Sequence, residues 1–89
     1  MTAPSVEFDS AKNESNRLKH GIGLDAFTGF DTMPVVIAHE RHEYGEQRFS
    51  AFGLIAGLPY NLVYTVRSDR LRLISFRRAH REELERHEG

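Results

Sequence analysis

The chain has 89 residues, of which 39% are hydrophobic and 28% charged, with no cysteine and a net charge of −1. That length holds one domain around one core and leaves no space for a separate cofactor-binding module, which excludes a two-domain enzyme. The composition excludes a disordered, collagen-like or disulfide-stapled chain, and the lack of thiols excludes thiolate metal sites and cysteine nucleophiles while fitting a reducing cytoplasm.

Met1 to Phe8 has neither the basic start nor the apolar stretch of a signal peptide, and Val6-Glu7-Phe8 reads as a short first strand. Asp9 and Ser10 then supply the side-chain acceptors that start a helix. Over residues 10–19 no β-branched residue occurs, and Ala11, Ser15 and Leu18 fall at helical spacing as a narrow inward stripe. Arg17, Lys19 and His20 crowd the last turn before Gly21, where cations suit the helix dipole and glycine suits a left-handed cap, so the helix ends at His20. Leu24, Phe27 and Phe30 predict a second short helical turn, closed by Gly29 and the Asp31 to Pro34 segment. Val35 to Ala38 is a strand by its β-branched content. It is also the longest strictly aliphatic run, far short of the roughly 18 residues a membrane span needs. Residues 39–47 lack apolar periodicity and read as a mobile, solvated loop.

From Arg48 the pattern is strand, break, strand, break, strand: Arg48 to Ile55, Gly57-Leu58-Pro59, Tyr60 to Arg67, Ser68-Asp69, and Arg70 to Phe76. In the middle strand the period of two puts Tyr60, Leu62, Tyr64 and Val66 on one face and Asn61, Val63, Thr65 and Arg67 on the other. Arg77 to His87 has no glycine or proline and reads as a C-terminal helix. The order β-α-α-β-β-β-β-α predicts a small single α+β domain over 1–89. In it two N-terminal helices and a C-terminal helix cover one face of an antiparallel sheet.

The small net charge conceals segregation. Residues 1–47 carry eight acids against Lys12, Arg17, Lys19 and Arg41, whereas residues 67–81 carry Arg67, Arg70, Arg72, Arg77, Arg78 and Arg81 against Asp69 alone. Ten of the twelve basic residues are arginine, whose planar fork grips phosphate bidentately. A phosphate-bearing ligand and a merely solvated arginine edge both fit this pattern.

Five separated elements resemble the BrnT family of small ribonuclease toxins. They are Phe8-Asp9 with Lys12 and Asn16; Lys19-His20-Gly21 with Phe27 and Phe30; Gly45-Glu46-Gln47-Arg48-Phe49 with Gly53; Val63-Tyr64-Thr65-Val66-Arg67; and Arg72-Leu73-Ile74-Ser75-Phe76-Arg77-Arg78-Ala79 with Glu83. The resemblance covers roughly Glu7 to Glu88. It implies a RelE-like fold, RNA cleavage without a cofactor, and a cognate BrnA-like antitoxin in a hetero-oligomer. In such a pair the antitoxin contacts DNA and this chain does not. Phe8, Ser10 and His87 stand where the family more often has tryptophan, proline and tyrosine.

Cleavage of RNA by its own 2′-hydroxyl needs a proton acceptor, a stabiliser of phosphorane charge and a donor to the leaving oxygen. Arginines suit the second role. Arg67 and Arg77 match the family motif as catalytic candidates. A simple two-residue hairpin, however, pairs residue 67 with 70 and 60 with 77, leaving Arg77 roughly 23 Å from Arg67. Only a bend, bulge or loop would join them. The same register makes Arg67 and Arg72 near neighbours on one face. Arg77 and Arg78, at the start of the predicted helix, would grip another part of the RNA backbone. Histidine suits proton transfer because the residue type titrates near neutrality. His20 serves as catalytic candidate or as a helix-end cation, and Glu46 as base or as ion-pair partner of Arg48. Lys19, Arg48, His80 and His87 complete the substrate-binding candidates, the last two lying about 10 Å apart on one helix. His39 and His42 beside Glu40 and Glu43 lack zinc-protease spacing, so no metal is expected. Tyr60, Tyr64 and Phe49 fit either base stacking or the core. Competing readings without catalysis are a module that holds RNA or a ribosomal surface, and one whose arginines meet an acidic protein.

Overall fold

In a computed structural model, residues 5–39 and 46–88 are described. They form β1 (Ser5–Glu7), α1 (Ser10–His20), a 3-10 turn (Leu24–Ala26), β2 (Val35–Ala38), β3 (Arg48–Ile55), β4 (Leu58–Arg67), β5 (Arg70–Arg78) and α2 (Arg81–Glu88). The five strands make one sheet in the order β1-β5-β4-β3-β2. The sheet is mixed, not purely antiparallel, because β1 runs parallel to β5. Helix α1 follows β1 and takes the chain over one face of the sheet towards β2 at the opposite edge, and β1 meets β5 only after β2, β3 and β4 have been laid down.

Helix α1 forms as its caps require. Asp9 accepts from the Ala11 N–H at 3.4 Å, and Gly21, at φ 79°, donates its N–H to the Arg17 carbonyl. The second predicted helix is only the 3-10 turn at Leu24–Ala26. Three residues close one turn there, and the aromatics that follow pack as extended chain.

The sheet buries one side more thoroughly than the other. Leu24, Ala51, Leu62, Leu73 and Phe76 make the main core beneath α1 and the 3-10 turn, with Phe27, Phe30, Tyr60 and Tyr64 packed against it. Phe76 meets the rings of Phe27 and Tyr60 at 5.4 and 5.2 Å, so Tyr60 and Tyr64 belong to this core. A second, smaller cluster of Phe52, Ala79, Ile37 and Leu54 lies on the opposite side, where α2 packs on β2 and β3. The helices therefore cover both faces.

Two further boundaries differ from expectation. The β3–β4 turn is Ala56-Gly57, both at positive φ, so β4 starts at Leu58 and includes Pro59. Strand β5 runs through Arg77 and Arg78, which do not open the helix; α2 begins three residues later, at Arg81. The carbonyl of Pro59 accepts from the Ala79 N–H and holds the chain to the sheet that far.

The β4–β5 register contains one irregularity. Near the turn Arg67 pairs with Arg70, Val66 with Leu71, Thr65 with Arg72 and Tyr64 with Leu73. Past a bulge, Val63 pairs with Ser75, Leu62 with Phe76, Asn61 with Arg77 and Tyr60 with Arg78. Ile74 is the extra residue. Were Ile74 paired in the ladder, Arg77 would oppose Tyr60 and point into the core; with Ile74 bulged out, Phe76 fills the core and Arg77 moves to the other face.

Gly53 lies where β3 passes Phe30, and a Cβ there would stand 2.6 Å from a ring carbon. Gly53→Ala is expected to destabilise the protein by about 1–3 kcal/mol through overpacking. A lowered urea midpoint that recovers in the Gly53→Ala/Phe30→Leu double variant would identify that ring as the cause.

Candidate active site

Register lays charged residues in rows across the face opposite α1. One row runs Glu7, Arg72, Thr65 and Arg48 over β1, β5, β4 and β3. His39 extends it, its N–H bonded to the Arg48 carbonyl at 2.9 Å. The next row holds Ser5, Arg70 and Arg67, with Glu46 beside Arg67. Four arginines thus meet two glutamates near one end of the sheet.

Glu46 is the link between β3 and β4 arginines. Arg67 donates to its Oε2 from Nη2 at 2.9 Å and from Nε at 3.3 Å, while Arg48 Nη2 lies 3.8 Å from Oε1. The expected Glu46 pair with Arg48 is therefore present, but Arg67 is the closer partner. Arg72 turns the other way, to Glu7 at 3.7 Å. Arg67 and Arg72 share a face, as register predicts, while each is held by a different carboxylate. Arg67 is the more open of the pair, with 58% of its side chain exposed against 30% for Arg72.

Hydrogen bonds fix the floor between them. Buried Thr65 donates to the Gln47 carbonyl at 2.6 Å, Gln47 donates to the His39 carbonyl at 2.6 Å, and His39 Nε2 sits 2.7 Å from Ser50 Oγ. His39 is thus a half-buried imidazole on the arginine face, at a position that sequence reading left in a solvated loop. Extending the β2–β3 pairing by one residue was the signal that would have found it. Arg70 was likewise passed over, although the two-residue Ser68-Asp69 turn places it opposite Arg67.

The remaining candidates lie elsewhere. Arg77 shares the arginine face, but its partner Asn61 is six residues from Arg67, about 20 Å along the strand. The bulge puts the two guanidinium groups on one side without bringing them together. Arg77 instead grips Glu83 with two bonds, at 2.9 and 3.3 Å. Arg78 lies on the core side, 5.5 Å over the Tyr60 ring. Exposed His80 precedes α2, and His87 is in α2 with its side chain outside the described ones. Lys19 and His20 are at the C-terminal end of α1, away from the arginine rows. His42, Glu40 and Glu43 lie outside the described residues. Among the described residues no three histidines or acids are grouped to hold a metal, and no helix is long and apolar enough to cross a membrane.

Glu83 joins strand to helix. It accepts the His80 N–H at 2.7 Å, as in a capping box, and the two Arg77 bonds followed by this backbone bond hold its carboxyl at about 2, below an ordinary 4.5. Because the folded value is depressed, this stabilisation is present above pH 4.5 and is lost as pH falls towards 2. Glu83→Gln is expected to flatten acid unfolding in that window and to cost about 1 kcal/mol at neutral pH, read by urea melts from pH 7 down.

The chain is an α+β domain with one sheet face that carries rows of arginine, the side chain whose planar fork suits phosphate. Residues 8–83 match the model of the ribonuclease toxin BrnT of type II toxin-antitoxin systems. The chain belongs to that family of ribonuclease toxins. A comparison with curated proteins gives no match.

Proposed function

We propose that this chain is a RelE-like, metal-independent endoribonuclease that cuts RNA through the 2′-hydroxyl, acts in the cytoplasm and is silenced by a BrnA-like antitoxin. The observation that carries the reading is the set of Arg48, Arg67, Arg70 and Arg72 on one sheet face, with exposed Arg67 at its rim. In the proposed reaction the 2′-oxygen attacks phosphorus, its proton passes to a base, and the 5′-oxygen leaves with a proton. The products are a 2′,3′-cyclic phosphate and a 5′-hydroxyl. Arg67 and Arg72 neutralise the phosphorane. Glu46 holds Arg67 and is the carboxylate nearest to it, and His39 is the described imidazole on the same face; these two replace His20 as the groups placed for proton transfer. Arg77 and His80, at the far end, contact flanking RNA.

The alternative is a module that holds RNA without cutting it, favoured by the engagement of Arg67 and Arg48 with Glu46 and of Arg72 with Glu7. Incubation of the purified chain with RNA in EDTA separates the two. New cyclic phosphate ends support cleavage, salt-sensitive binding without new ends supports the alternative, and intact, unbound RNA sinks both.

A further inference from the structure

Lys12, Lys19 and His20 face a cleft of about 280 Å³ between α1 and β5, whose walls also carry Ser15, Ser75 and Ile74. No acidic side chain lines it. On the sheet face Arg48, Arg67, Arg72 and Arg77 are held by Glu7, Glu46 and Glu83, whereas neither lysine of this cleft forms an ion pair among the described residues. Lys19 and His20 have a local reason for their place, since cations suit the C-terminal end of a helix. Lys12 has none. It is in the first turn of α1, where a carboxylate is favoured and a cation opposes the dipole, and that turn contains no acid. Lys12 and Lys19 are seven residues apart, so they stand on one side of the helix about 10 Å from each other along its axis.

The cleft also connects to the arginine side. Strand β1 covers β5 only from Arg70 to Arg72, so the sheet edge beyond is left to α1. Ser75 pairs with Val63 on the arginine side and also lines the cleft, because the Ile74 bulge turns the strand at that point. A polyanion crossing this edge passes from one basic surface to the other.

We propose that the α1–β5 cleft is a second phosphate subsite, which takes an RNA backbone phosphate outside the linkage that is cut. The proposal rests on the RNA reading above, and its ligand chemistry, a phosphate group among two ammonium groups and two hydroxyls, is also that of free phosphate. The test uses the full chain with two probes: inorganic phosphate, and a short 2′-O-methyl RNA that cannot be cleaved. Phosphate is expected to shift the amide resonances of Ser15, Lys19, His20 and Ser75 in the wild type and not in Lys12→Gln/Lys19→Gln. The salt slope of RNA binding is expected to fall by about 0.7 in that variant, the value for one single-strand phosphate no longer neutralised, and to recover in Lys12→Arg/Lys19→Arg. RNA binding with a wild-type slope in the glutamine variant overturns the subsite while leaving the nuclease reading intact. If the wild type binds no RNA, the RNA source is overturned with that reading, and phosphate shifts at those amides then assign the cleft to free phosphate. Absence of both signals overturns the cleft as an anion site.

Discussion

Arg67→Ala is expected to slow single-turnover RNA cleavage in EDTA by about 100-fold or more, the usual loss when one preorganised donor to a developing oxyanion is removed. The fold should not suffer. The Arg67 side chain is 58% exposed, and its ion pair with Glu46 is a surface pair worth at most about 1 kcal/mol. A fall in rate with an unchanged melting temperature therefore separates chemistry from stability. Arg67→Lys should recover little, since a lysine ammonium cannot reproduce the fork that now makes two bonds to one carboxylate oxygen. Glu46→Gln tests the same contact from the other side, by leaving Arg67 without its anchor. Cleavage at the wild-type rate by Arg67→Ala would remove the arginine rows from the reaction.

The largest effect on stability is expected at Asn16. This side chain is 5% exposed and its amide donates to the carbonyls of Phe76 and Ile22 at 2.7 and 2.8 Å, while its oxygen accepts the Phe76 N–H at 3.0 Å. It pairs with Phe76 as a neighbouring strand would, at the stretch of β5 that β1 does not reach. Asn16→Ala leaves three backbone groups without partners next to the main core, at a cost of about 3–5 kcal/mol. A domain of this size commonly has about 5–10 kcal/mol in all, so the melting temperature should drop by about 12 °C or more. Asn16→Asp should be no better, because it replaces both donations with a buried charge facing carbonyls. Thermal unfolding of the two variants within about 1 kcal/mol of wild type would show that the sheet edge closes without this amide.

Much of this arrangement was legible in the sequence because local rules govern it. Asp9, Gly21 and the absence of β-branched residues between them define α1, and Ser68-Asp69 is a turn whose two residues both adopt positive φ. That turn alone puts Arg67 opposite Arg70 and Arg72 opposite Thr65. The rest depends on contacts distant in sequence. Nothing near Ser5 states that it will lie parallel to Arg70, and nothing in Arg77-Arg78 distinguishes a strand end from a helix start until Glu83 caps α2 through His80. His39 joins the arginine face through pairing with Arg48, on a strand met nine residues later. His20 matches a motif but not a face, so sequence reading grouped it with residues from which the fold keeps it apart.

The Ile74 bulge gives this protein a form of parity. Which side of the sheet is greasy and which is reactive is decided by whether the number of ladder-paired residues from the hairpin to Phe76, the bulged one left out, is odd or even. Amino acids in that stretch can be exchanged within the limits of size and charge, and losing Ile74 together with the bulge would leave Phe76 opposite Leu62, but drawing Ile74 into the ladder would swap the two sides beyond it and bury arginine where phenylalanine now sits.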